Sequence, residues 1–166
     1  FKGTSIRDIS RETGMTISSI YYYFDNKEGL LYAILEKAAD DIVEKLRLAA
    51  EKDLEPLDRF KLLVKTHFNL LIGTYMKESK ILFIEEEQLT MVSKKYQIEI
   101  LEIYRQELRN LKALGYIKND NLTLLAFHIF GVINWHLRWY KSDGRLSFEQ
   151  INDEMLSFVL HGVLGS

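Results

Sequence analysis

Residues 5–27 read SIRDISRETGMTISSIYYYFDNK. They leave room for two short helices and one tight turn. Ser5 opens a helix signature, with Asp8 three residues on; Asp is shorter than the usual Glu or Gln of a capping box, so an imperfect box is expected. Ile6, Ile9 and Thr13 recur on one face at helical spacing, while Arg7 and Arg11 share another. Gly14 ends the helix, because it takes a positive φ without a steric penalty. Thr16 is placed to cap a second helix through its hydroxyl. There Ile17, Ile20 and Phe24 fall roughly on one side, which turns Ile17 partly inward. Ser18, Ser19, Tyr22 and Tyr23 are left outside.

Two short helices around a glycine turn form a helix-turn-helix pattern. The outer face of the second carries small hydroxyls, then aromatics. Serine hydroxyls bond phosphates or base edges, and tyrosine hydroxyls reach the backbone, so this face suits a DNA major groove. The same spacing also fits a solvent-exposed helical hairpin with no such role. Charge favours the second reading: the formal net charge is −2, and phosphate contacts need Lys and Arg. Within residues 1–28, Lys2, Arg7, Arg11 and Lys27 are matched by Asp8, Glu12, Asp25 and Glu28. Placement, however, matters more than the sum.

The residues themselves are more specific than their spacing. The run SIRDISRETGMTISSIYYYFDNKEGLL closely resembles the DNA-binding domain of the tetracycline-repressor (TetR) family of transcriptional regulators. That family shows a Thr- or Ser-led helix, a Gly, and a short recognition helix ending in Leu/Ile-Tyr-x-x-Phe. A Lys-Glu pair then opens the next helix. The matching residues are Ser5, Gly14, Ile20-Tyr21-Tyr22-Tyr23-Phe24 and Lys27-Glu28. The resemblance is strongest up to about Asp41 and implies an all-helical body beyond it. In the family a first helix with a basic arm precedes this point. Phe1 and Gly3 look like the end of that helix and the turn after it, so the first helix is expected to be missing here.

The rest of the chain supports an all-α reading, with a helix-turn-helix domain and connector helix over 1–45 and a ligand-binding and dimerisation domain over 46–166. The chain is 166 residues long and 47% hydrophobic, enough for a sizeable core. It has one proline, no cysteine, no signal peptide and no run of about 20 apolar residues, so a cytoplasmic protein without a membrane span is expected. Asn26 is a candidate N-cap for a long helix to about Glu51, with Leu30, Leu31, Ile34, Leu35, Ala38, Ile42 and Leu46 as its stripe. Pro56 suits the first turn of a helix running to about Tyr75. A shorter helix is expected over 78–89; its acidic run Glu85-Glu86-Glu87 reads as a solvated face or a cation site. Residues 91–114 form another long helix, with Tyr96, Ile100, Ile103, Tyr104, Leu108 and Leu111 inward and Gly115 at its end. Leu122 to Tyr140 is apolar nearly all round and predicts burial on more than one side. Ser147 and Gln150 form a capping box for the last helix.

The resemblance implies that Ser5, Arg7, Thr16, Ile17, Ser18, Ser19, Tyr21, Tyr22 and Lys27 contact DNA, with Arg7 the leading base reader. Ile17 stands where the family often has a polar residue; it reaches a thymine methyl or simply packs. The last two helices are implied to pair with a second subunit, with Met155 and Phe158 facing it. Two half-sites about one DNA turn (roughly 34 Å) apart suit such a homodimer.

Histidines 67, 128, 136 and 161 lack zinc-ligand spacing, so no metal is expected. No phosphate loop, nucleophile elbow or paired catalytic carboxylate occurs, which leaves an enzyme reading without support. No cofactor is expected beyond a small-molecule effector. The segment Asn134-Trp135-His136-Leu137-Arg138-Trp139-Tyr140 with Gly144-Arg145-Leu146-Ser147 resembles TetR-family members that sense acyl-CoA thioesters. Trp135 and Trp139 also fit plain interface anchors. Candidate ligand contacts are His67, Phe68, Tyr75, Phe83, Tyr104, Phe127, His128, Asn134, Trp135 and Arg138. The expected protein is therefore a DNA-binding repressor released by a small apolar effector, leaning to long-chain acyl-CoA. A multidrug-sensing regulator and a helical ligand-binding adaptor are the alternatives.

Overall fold

The computed structural model describes residues 5–84 and 90–164; of residues 83, 84 and 90–93 only the backbone is described. The elements are α1 (Ile6–Thr13), α2 (Ile17–Tyr23), α3 (Lys27–Ala50), α4 (Pro56–Phe68), a π-helical segment (Asn69–Thr74), α5 (Met76–Ile84), α6 (Thr90–Ala113), α7 (Leu122–Trp139) and α8 (Phe148–Leu164). No strand occurs among the described residues. Two compact units divide inside α3, residues 1–37 and 38–166.

Local chemistry sets most of the helix ends. Ser5 Oγ accepts from the Asp8 amide at 3.2 Å, and Asp8 accepts from the Ser5 amide at 2.9 Å. The box expected to be imperfect is therefore closed: the Ser5 hydroxyl also donates to Asp8 at 2.6 Å, and these bonds hold the Asp8 carboxyl below its ordinary range. Gly14 ends α1 at φ 71°. Thr16 Oγ1 accepts from the Ser19 amide at 3.0 Å, and Asn26 Oδ1 accepts from Gly29 at 2.7 Å at the start of α3. Gly115, at φ 81°, closes α6. Ser147 and Gln150 exchange the two bonds of a capping box before α8.

In the second unit α4 packs against α6 and α8, and α7 packs against the same two helices. Its core holds Phe60, Leu63, Val64 and Phe68 of α4, Tyr104, Leu108 and Leu111 of α6, Ile129 and Ile133 of α7, and Ile151 and Val159 of α8. Beside them, buried Glu107 pairs with half-buried Arg59. Arg59 Nε donates to Glu107 Oε2 at 2.9 Å, and Asn110 donates to the other carboxylate oxygen at 3.0 Å. Both oxygens are thus satisfied, which such burial requires.

One expectation needs correction. The helix expected to run on to Tyr75 stops being α-helical at Phe68. It widens into a π-helix where three consecutive residues, Leu70, Leu71 and Ile72, are all buried. Gly73 leaves room there for Phe148, whose ring lies 3.4 Å from where a Cβ would stand. The next helix is described over Met76–Ile84; it begins near the expected 78, and its expected end at 89 lies, with the run Glu85-Glu86-Glu87, outside the described residues. In the single chain, α7 buries Leu125, Ala126, Ile129, Ile133 and Leu137 and leaves Leu124, Phe127, Trp135 and Trp139 exposed.

Candidate DNA-reading face and effector cavity

In the first unit Ile6 and Ile20 are the buried residues of the two short helices. Their burial turns the opposite faces outward. Arg7, Thr16, Ser18, Tyr21 and Tyr22 are exposed, and Tyr22 reaches 82%. Tyr22 and Tyr23 meet edge to face with ring centroids 5.0 Å apart. Ser5, also exposed, spends its hydroxyl on the Asp8 cap. Ser19 is half-buried, its hydroxyl 2.8 Å from Thr16 Oγ1, so the cap already engages it. Lys27 is half-buried at the start of α3. Ile17 is 40% exposed, turned partly inward as its helical phase implies. Directly after the Thr16 cap, it precedes the first turn whose side chains can cover it, so part of an apolar group is presented outward.

In the second unit a cavity of about 200 Å³ is lined by His67 of α4, Gln97 and Ile100 of α6, and Phe127, Phe130 and Asn134 of α7. His67 Nδ1 and the Tyr104 hydroxyl stand 3.0 Å apart. Both groups are buried and both stay neutral. Burial lowers the His67 pKa to about 3 and pushes the Tyr104 phenol well above its ordinary value. Phe130 packs edge to face on both rings, at 5.0 Å from Tyr104 and 5.9 Å from His67. Asn134 Oδ1 is buried without a hydrogen-bond partner. A buried amide oxygen left unpaired is costly, and a bound group that donates to it would remove that cost.

Of the ten expected ligand contacts, the cavity brings together His67, Phe127 and Asn134. Gln97, Ile100 and Phe130 were missed; their signal is the single face they share on α6 and α7 with residues that were named. Tyr104 lies behind His67, fully buried. Phe68 belongs to the core instead, its ring 5.0 Å from His136 and 5.4 Å from Phe148. Tyr75 donates its hydroxyl to Asp41. Phe83 has a side chain outside the described residues. Arg138 is exposed.

His128 and Trp135 face elsewhere. With Phe127, Val132, Trp139 and Phe158 they line a shallow open groove over α7 and α8. The helical phase explains this: residues 128, 132, 135 and 139 share one face of α7, away from buried Ile129 and Ile133. Phe127 borders both groove and cavity. Phe158 is 68% exposed on that surface, but Met155, expected beside it, is only 3% exposed. Met155 sits four residues from both Ile151 and Val159 and so packs with them in the subunit's own core. Among the described residues, no three His, Asp or Glu side chains converge as a metal site would require.

Comparison with known proteins agrees with both halves. Residues 1–34 match the family model "Bacterial regulatory proteins, tetR family", and residues 53–163 match "Tetracyclin repressor-like, C-terminal domain". The HTH-type transcriptional repressor KstR2 of Rhodococcus jostii is 27% identical over 169 residues, covering 98% of this chain and 82% of that protein. A TetR/AcrR-family regulator from Thermobifida fusca shares the fold with a TM-score of 0.84 at 25% identity, over 97% of this chain and 87% of that one. AibR, crystallised in complex with isovaleryl coenzyme A and operator DNA, gives a TM-score of 0.77 at 27% identity, over 95% and 87% of the two chains. The chain belongs to the tetR family of bacterial regulatory proteins, and it is a ligand-responsive, DNA-binding transcriptional repressor.

Proposed function

We propose that this repressor works in the cytoplasm as a homodimer, and that it leaves its operator when an acyl-CoA thioester occupies the cavity between α4, α6 and α7. The observation that carries the effector site is the cavity itself, an apolar and aromatic pocket with an unpartnered Asn134 oxygen at its wall. Cations stand one turn away on two of its helices: Lys94, exposed, three residues before Gln97, and Arg138, exposed, four residues after Asn134. They suit the phosphates of the CoA end, which stays outside. The AibR complex with isovaleryl coenzyme A supports the same ligand class.

The homodimer rests on the apolar groove over α7 and α8. An aromatic surface of this kind, with Trp135, Trp139 and Phe158 exposed on one chain, marks a protein–protein contact. Effector release then follows from differential affinity: a ligand shifts the operator-bound population only if it binds the DNA-incompetent conformation better.

The test is titration of a repressor–operator complex with acyl-CoA and with free CoA. Release by the thioester alone supports the proposal. Release by a compact aromatic drug, with no response to any acyl-CoA, would assign the cavity to multidrug sensing instead.

A further inference from the structure

We infer that the buried part of the effector is a short, uncharged acyl group of about eight heavy atoms or fewer, not a long chain and not a free carboxylate. This rests on the acyl-CoA reading above and narrows it.

Volume sets the length. A cavity of about 150 Å³ accommodates benzene, or about 25 Å³ for each heavy atom. The 200 Å³ here therefore holds about eight such atoms, whereas an eighteen-carbon chain needs roughly 450 Å³ on the same scale. The wall is poorly placed to yield. His67, Tyr104 and Phe130 pack ring on ring, at centroid distances of 5.0 to 5.9 Å, and Phe60 closes on the far side of Tyr104 at 6.5 Å. Opening that cluster would separate rings whose edge-to-face packing is itself favourable.

The lining sets the charge. Among the described residues, the lining groups His67, Gln97, Ile100, Phe127, Phe130 and Asn134 include no Lys or Arg, and His67 is held neutral by its burial. A carboxylate entering this space would lose its hydration without gaining a cation, which is strongly unfavourable. A thioester or hydroxyl has no such penalty. The Asn134 side chain, turned about its last torsion, offers an N–H to a thioester carbonyl or its oxygen to a hydroxyl. Neutral polar groups on Asn134, Gln97 and His67 beside the apolar walls of Ile100, Phe127 and Phe130 fit a short acyl group whose CoA lies outside.

Isothermal titration of the full chain with butyryl-, isovaleryl-, octanoyl- and stearoyl-CoA, and with the corresponding free acids, tests this directly. Butyryl- and isovaleryl-CoA should bind tightest, stearoyl-CoA at least about tenfold more weakly, and the free acids not measurably, in line with the size discrimination apolar pockets reach. Two variants probe the wall. Ile100→Ala should move the optimum about two to three carbons longer, and Ile100→Phe should weaken isovaleryl-CoA binding by about tenfold or more. Tighter binding of stearoyl- than isovaleryl-CoA, or an optimum that Ile100→Ala leaves in place, would overturn the inference while leaving the acyl-CoA reading intact. No binding by any thioester would overturn both.

Discussion

Tyr96 of α6 donates its hydroxyl to Asp40 of α3 at 2.8 Å. Tyr96 is the residue before Gln97, which lines the cavity, and the next residue of α3, Asp41, accepts from Tyr75 and pairs with Lys45 at 2.6 Å. Two tyrosines from different elements thus hold adjacent carboxylates of the helix that begins in the DNA-binding unit. Tyr96→Phe keeps the ring and removes the bond. Effector affinity measured without DNA should stay within about threefold, while the effector-induced loss of operator affinity should shrink by about fivefold or more, the scale of a typical coupling energy. Unchanged coupling in a paired titration would remove Tyr96 from the path.

Acid should weaken the protein through His67. Its folded pKa of about 3 lies below the ordinary 6.5. Between those values the unfolded chain holds the extra proton, so the stability from a neutral His67 is full above pH 6.5 and is lost as pH falls towards 3. Between pH 6.5 and 5 this amounts to roughly 1.5 kcal/mol. Denaturant melts of wild type and His67→Gln across that interval should diverge by about this much, with the variant flatter. Parallel pH dependences would mean that the ring is protonated in the fold.

On the DNA side, Arg7→Ala should cost about 1–3 kcal/mol at the operator and relax preference at one base pair. Lys27→Ala should weaken all duplexes alike and reduce the salt slope by about one. The exposure of Ile17 adds a third variant: Ile17→Ala should lose discrimination for a thymine without altering the salt slope. A competition assay on single-base operator variants separates the three. Arg7→Ala with unchanged affinity and preference would end its role as a base reader.

Phe158 and Met155 should behave oppositely although only three residues apart. Phe158→Asp puts a charge on a side chain already exposed in the single chain. It should leave a folded monomer in light scattering, because only the dimer would bury that charge unpaired. Met155→Asp puts the charge into the subunit's own core and should abolish cooperative unfolding. A folded Phe158→Asp dimer would place the interface elsewhere.

What was legible in the chain was the chemistry that acts over three or four residues. Thr16, Asn26 and the Ser147–Gln150 box each cap the helix their spacing announced, and Gly14 and Gly115 take the positive φ their positions required. Even the Asp8 box closed, because the Ser5 hydroxyl bonds back to the shorter carboxylate. What stayed hidden depends on partners distant in sequence. Glu107 reads as an ordinary charge until Arg59, 48 residues away, is brought to it. In the π-helical segment, Gly73 lies against Phe148, a residue far along the chain. Met155 and Phe158 share an approximate helical face, and only the packing of α8 on α4 and α7 draws the boundary between them. Likewise Trp135 and Asn134 are neighbours in sequence, yet one faces the outer groove and the other the cavity.

The most direct measurement is the dissociation constant for an operator duplex as a function of salt, taken with and without isovaleryl-CoA. A ligand-responsive dimer should lose affinity steeply as salt rises, and at every salt concentration the thioester should weaken binding by a further factor of about 5 to 150. Binding that is flat in salt, indifferent to sequence and unmoved by the thioester would contradict the account and favour a helical ligand-binding adaptor whose helix-turn-helix is only structural.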